Sequence, residues 1–137
     1  MGQVADWIAD HLDPVVAASS LRLDVDPNLR EQVGHLARGR PLIIDYYAVP
    51  LRGIRVGDMT ARFASRPLEP RYVELRPVDG VRVLAHHLLL ELLTDGGATL
   101  RLSGIGPFRH VAVTLPRPER WIDFLERCPA RRTGGVQ

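Results

Sequence analysis

Over residues 1–40 the apolar positions recur at helical spacing, and from residue 42 onward they follow the shorter period of strands. Val4, Trp7, Ile8 and Leu12 predict an amphipathic helix over 3–13, which Pro14 ends or kinks. After a connector at 19–25, a second helix starts cleanly. Asp26 stands as its N-cap, Pro27 at its first position and Gly39 just past its end. Leu29, Val33, Leu36 and Ala37 form its apolar face.

Leu42–Val49 is β-branched and aromatic, with apolar residues on both faces, which predicts a largely buried strand. Ile54–Phe63 predicts another. Ile54 and Val56 are out of phase with Met59, Ala61 and Phe63, so a β-bulge at Gly57–Asp58 is expected. Residues 64–70, with Pro67 and Pro70, form a loop. Tyr72–Arg76 and Val81–Val83 are short strands around the tight-turn pair Asp79–Gly80. Residues 84–94 fit a short helix by periodicity, with a strand continued from Val81 as the competing assignment. Ala98–Gly104 and Phe108–Leu115 are further strands. Pro118 begins a last helix carrying Trp121, Leu125 and Cys128 on one face. The elements predict one α+β domain over 1–130: two N-terminal helices, a mostly antiparallel sheet and a C-terminal helix. A disordered tail is expected over Arg131–Gln137.

Composition narrows the chemistry. The 137 residues are 45% hydrophobic and 25% charged, as in an ordinary globular domain. All 18 basic residues are arginine, which excludes a P-loop lysine, a Schiff-base lysine and a lysine general base. The single Cys128 excludes an internal disulfide and any multi-cysteine zinc or iron–sulfur site within one chain. The net charge of +2 is spread without a basic run, which argues against nucleic acid as a partner. The start MGQVADWIAD lacks a basic, then apolar, leader, and no apolar run reaches membrane length. A cytoplasmic protein with no membrane contact and no cofactor is expected. Trp7, Trp121 and Phe124 supply large apolar surfaces and the sheet has edges to cover, so a homodimer is expected too.

The stretch DGVRVLAHHLLLELLTDGGATLRLSGIGPFRHVAVTLP, Asp79–Pro116, resembles the second half of the HesB/IscA-type iron–sulfur carriers. The matching positions are Asp79, Gly80, Val81, Val83, Gly97, Ala98, Leu100, Gly104, Gly106, Phe108 and Val111, and 27–63 fits the first half. The resemblance implies a HesB-like sheet. The family's loop cysteine has no counterpart at Val49–Gly53, and Cys128 is not in a Cys-x-Cys pair. What the resemblance implies is therefore a non-catalytic binding or accessory protein on a scaffold without cluster ligands, with a protein partner as one option.

Three groups of residues could carry chemistry. Asp45 lies in the apolar strand on the face of Ile43 and Tyr47, so Asp45 and Tyr47 are candidate catalytic residues, with Arg52 or Arg55 as partner or ligand-binding cation. Asp45 is read as a functional carboxylate, so Asp45→Asn is expected to leave the melting temperature unchanged or raised, whereas breaking a structural ion pair would lower it. His87 and Glu91 share a helix face at i, i+4, and His110 would complete a two-histidine, one-carboxylate metal set. Arg71, Arg76, Arg82, Arg101 and Arg109 lie on or beside strands, where with Tyr72 they could bind an anion or nucleic acid, or simply form a solvated face paired to Glu74. The cysteine count generates the first prediction. Anaerobic reconstitution with iron and sulfide should leave no stable chromophore, and a stoichiometric cluster that survives Cys128→Ala would refute the ligand accounting.

Overall fold

The computed structural model describes residues 23–65, 71–94 and 97–131. The helix expected over 3–13 and the tail from 132 lie outside them. In chain order the elements are β1 (Leu23–Val25), α1 (Pro27–Ala37), β2 (Leu42–Leu51), β3 (Ile54–Phe63), β4 (Tyr72–Glu74) and β5 (Val83–His86). A 3₁₀ turn (His87–Leu89), α2 (Leu90–Thr94), β6 (Ala98–Ser103), a second 3₁₀ turn (Gly106–Phe108), β7 (His110–Thr114) and α3 (Pro118–Arg127) follow.

The seven strands form one sheet in the order β1-β6-β7-β3-β2-β5-β4. Its mixed character corrects the expected architecture of two N-terminal helices on a mostly antiparallel sheet. β1 runs parallel to β6, and β2 runs parallel to β5. The described residues place one helix, α1, between β1 and β2, and put α2 inside the chain after β5. The reason is the connections. Residues 26–97 lie between β1 and its neighbour β6, and residues 52–82 between β2 and β5, long enough for parallel crossovers.

α1 follows its capping signals. The Asp26 side chain accepts the Asn28 N–H at 3.2 Å, Pro27 opens the helix, and Arg38 ends it in the left-handed region at φ 52°. It buries Leu29, Val33 and Ala37. These join Leu42, Ile44, Tyr46 and Ala48 of β2, Met59 and Ala61 of β3, Val83 and Ala85 of β5, and Leu89–Leu93 around α2 in the main core. On the other face of the sheet Ile43, Leu84 and Ala64 form a smaller cluster against Tyr72. β2 is thus apolar on both faces because both faces are covered. Each fully buried aliphatic side chain there stabilises the fold by roughly 1.5–3 kcal/mol.

The β2–β3 hairpin turns on Arg52 and Gly53, both at positive φ (51° and 82°), the geometry whose twist matches paired strands. Its register runs unbroken from Leu42↔Phe63 to Leu51↔Ile54. No bulge occurs at Gly57–Asp58. The apolar phase changes instead because Ile54 and Val56 belong to the hairpin tip beyond the core, where Ile54 is exposed. Residues 84–94 divide between the two assignments: strand to His86, then 3₁₀ turn and helix.

Gly57 sits opposite Ala48, where an added Cβ would stand 2.0 Å from the Tyr47 carbonyl oxygen. Gly57→Ala should therefore lower stability by about 1–3 kcal/mol, the usual range for forced overpacking. Gly34→Ala, in open space on α1, should raise stability by up to about 1 kcal/mol through helix propensity. Urea midpoints of the two variants check both signs.

Candidate ligand-binding site

The site begins where a strand runs out of partner. β5 accompanies β2 only from Leu42↔Val83 to Ile44↔Ala85 and then leaves through the 3₁₀ turn. Along this edge of β2 the Leu42 N–H bonds the Arg82 carbonyl at 2.8 Å. Further on, Ala48 and Arg131 exchange both backbone hydrogen bonds at 2.7 Å, as an antiparallel bridge. Arg131, expected to open a disordered tail, is therefore the anchor of a strap, Cys128–Arg131, laid along the edge that β5 vacates. Between β5 and the strap the Tyr46 N–H has no strand to bond. Asp45 supplies the acceptor from its own side chain, Oδ1 at 2.8 Å.

Asp45 is fully buried, and its carboxylate binds four donors. Oδ1 accepts the Tyr46 N–H and the Arg131 Nε–H at 3.0 Å; Oδ2 accepts Arg131 Nη2–H at 3.0 Å and the Tyr72 hydroxyl. Arg131 Nη2 also donates to the Tyr72 oxygen at 2.9 Å, and its guanidinium lies 5.7 Å from the Tyr46 ring centroid. The arginine fork matches both carboxylate oxygens, and about four lone-pair positions are all a carboxylate has. Burying the charge is tolerable because each position is used.

Tyr46 ties this network to α3. Its hydroxyl donates to the Pro129 carbonyl at 3.2 Å, and its ring meets Phe124 edge-on at 5.2 Å and Trp121 at 6.5 Å. Trp121 Nε1–H donates to the Gly57 carbonyl at 3.3 Å, and Arg55 donates to the carbonyls of Cys128 and Leu125. Trp121 and Phe124, assigned from sequence to a dimer surface, pack within the chain. Cys128 is buried, and loss of solvent pushes its thiol pKa up, away from thiolate reactivity.

A cavity of about 340 Å³ opens in the gap between β5 and the strap, lined by Tyr46, Arg71, His86, His87, Leu88, Pro129, Ala130 and Arg131. His86 and His87 are 3% and 4% exposed, with ring centroids 4.8 Å apart. His86 stands edge-on to Tyr46 and to Tyr72, at 5.5 and 5.4 Å. Its Nδ1 accepts the Leu88 N–H at 3.2 Å. Arg71 is exposed, and its carbonyl accepts the His87 N–H at 3.0 Å.

The candidates from sequence are distributed differently. Asp45 is engaged by Arg131 rather than by Arg52 or Arg55; Arg52 sits in the exposed hairpin turn, and Arg55 holds the end of α3. Tyr47 is 36% exposed while Asp45 is fully buried. Glu91 pairs with Arg127 at 2.8 Å, and exposed His110 begins β7 opposite Ser103. Among the described residues no group of three or more histidines, cysteines or acids could hold a metal ion, so His87, Glu91 and His110 are not assembled. Of the strand arginines, Arg82 forks onto Glu74 at 2.9 and 3.0 Å, which holds the Glu74 carboxyl below its ordinary range. Arg71 alone among the five lines the cavity. His86, which lines the cavity, is not among the candidates from sequence. The adjacent His-His pair after an apolar strand was the available signal.

No helix among the described residues is long and apolar enough to cross a membrane. The chain matches no protein-family model, and no curated protein matches it.

The geometry reverses the stability expectation for Asp45. Asp45→Asn should cost about 3–5 kcal/mol, because it leaves Arg131 buried without its counter-charge. Arg131→Gln should cost a similar amount, and the double variant should cost less than the sum, by roughly 0.5–3 kcal/mol. A double-mutant cycle from urea denaturation measures this; additive losses would show that the pair is not coupled.

Proposed function

We propose that the protein is a non-catalytic binding module that takes a small anionic ligand in the cavity between β5 and the strap. The observation that carries this is the lining itself: two arginines, two histidines and a tyrosine converge on a space of about 340 Å³. That volume suits a small molecule, and apolar walls with few convergent polar groups are the usual make-up of such sites. Leu88, Pro129 and Ala130 supply the apolar part. The polar part is rich in donors, as recognition of an anion requires.

Binding is favoured over catalysis by the state of Asp45. Its four acceptor positions are filled, so the carboxylate has no lone pair left to take a substrate proton.

Thermal unfolding with acetate, benzoate and inorganic phosphate tests the proposal. At a concentration of about 100 Kd a ligand stabilises the native state by about 2.7 kcal/mol, which a melting curve resolves easily. Wild type should be stabilised by at least one of these anions. Arg71→Gln, at an exposed position, should unfold like wild type without ligand and lose most of the ligand-induced shift. No shift with any anion, or an equal shift in Arg71→Gln, would overturn the proposal.

A further inference from the structure

We propose that the chain forms a two-fold homodimer through one surface, the tip of the β2–β3 hairpin together with the neighbouring side of α3. The proposal is independent of the anion-binding reading. Two observations carry it: an apolar ridge beside an apolar groove, and opposite charges at their rims. Trp121 and Phe124, which pack within the chain, are not the contact residues.

The ridge follows from the length of the hairpin. β5 pairs with β2 only as far as Ile44, and β7 pairs with β3 only at Ala61. Beyond the pair Val49↔Val56, no third strand flanks the hairpin among the described residues, and a bare two-stranded ribbon is marginal in water. Leu51 and Ile54 pair directly at the tip and so share a face; both are exposed, Ile54 to 65%. The groove follows from α3. Trp121, Ile122, Phe124 and Leu125 give this helix a broad apolar arc that the chain covers only in part: Phe124 is buried, and Ile122 is 56% exposed. A groove of about 570 Å³ opens between helix and hairpin, with Pro50, Ile54, Ile122 and Leu125 as its apolar walls. Of the five large apolar residues exposed among the described residues, Leu51, Ile54 and Ile122 gather here. Exposed apolar residues gathered in this way mark a contact surface.

The charges say which partner fits. Arg52 stands in the hairpin turn, and Glu126 lines the groove on its helix side. Both are exposed, and among the described residues neither forms an ion pair. Arg55, the other cation of the groove, is committed to the carbonyls of Leu125 and Cys128. A surface that carries a ridge and a groove, a free cation and a free anion, is complementary to itself. A second copy related by a two-fold axis sets the ridge of each protomer in the groove of its partner, and Arg52 of each against Glu126 of the other. The sheet edges offer no rival contact. The edge strands β1 and β4 are three residues each, short enough to discourage edge-to-edge pairing.

Sedimentation equilibrium of the full chain over about 1–100 μM tests the proposal, since weak dimers of this kind dissociate in the micromolar range. The mass should rise with concentration from 15.3 kDa to twice that value and stop there. Ile54→Asp, at an exposed tip position, should weaken dimerisation at least about tenfold and keep the wild-type circular dichroism. Arg52→Glu sets two acids against each other at both ends of the contact, and Glu126→Arg sets two arginines there. Each variant alone should therefore stay monomeric where wild type is dimeric. Mixing the two variants matches both pairs in the mixed dimer, so the mixture should recover the dimer mass, which misfolded variants could not do. Variants that stay monomeric when mixed would overturn the pairing of Arg52 with Glu126. A wild-type monomer at every concentration would overturn the proposal and leave this face to a different partner. A dimer that withstands Ile54→Asp and both charge reversals would overturn it by placing the contact elsewhere, and a mass that climbs past the dimer would overturn the two-fold arrangement.

Discussion

The fold turns on one carboxylate. Asp45 closes a gap that the sheet topology creates, since β5 leaves β2 after three paired residues and the Tyr46 N–H would otherwise face the gap unpaired. An unpaired buried amide costs about as much as a lost hydrogen bond. Supplying the acceptor from a side chain solves that problem and raises a second one, a buried charge. Arg131 answers the second problem, and in doing so draws the end of the chain onto the sheet. Tyr72, from β4 on the far side of β5, adds its hydroxyl, so one carboxylate joins three separate stretches of chain.

The strap and α3 follow from the same arrangement. Ala48 holds the Arg131 backbone, Tyr46 holds Pro129, and Arg55 holds Cys128 and Leu125. These are polar contacts to backbone groups, which fix the position of α3 without a large apolar face. The helix buries one residue fully, Phe124, and rests Trp121 beside it at 5.3 Å. α3 is thus held chiefly at its C-terminal end, and a change at Asp45 is felt by the helix as well as by the sheet.

Much of the local structure was legible in the sequence. α1 was readable because its signals are local: Asp26, Pro27 and Gly39 act on backbone groups a few residues away. The Asp79–Gly80 turn was readable for the same reason, and both residues adopt positive φ (46° and 83°). Parallel pairing of β2 with β5 was not, because nothing in either strand names its neighbour. The bulge expected at Gly57 failed because phase was read as if the whole of β3 faced the core, whereas the hairpin extends past it. Asp45 was legible as a buried acid needing a partner, and Arg71 with Tyr72 as a possible anion contact. That the partner is Arg131 was not legible, since 86 residues separate them and the arginine sits in a Pro/Gly/Arg-rich terminus that reads as a tail.

The cavity and the buried ion pair share a single cause. In open sheets with parallel strands, ligands gather beyond the strands' carboxyl ends, where the connecting turns diverge. Here β5 ends at His86, and the turn that follows sends His87 and Leu88 away from β2. Along β2 the backbone groups that β5 leaves behind take partners, the Tyr46 N–H from Asp45 and Ala48 from Arg131. Asp45, Arg131 and Tyr72 bond one another beside β2. Tyr46, His86, His87 and Arg71 surround the opening. Arg131 takes part in both, with its fork on Asp45 and its flank lining the cavity, so whatever fills the opening rests against the group that holds the strap in place.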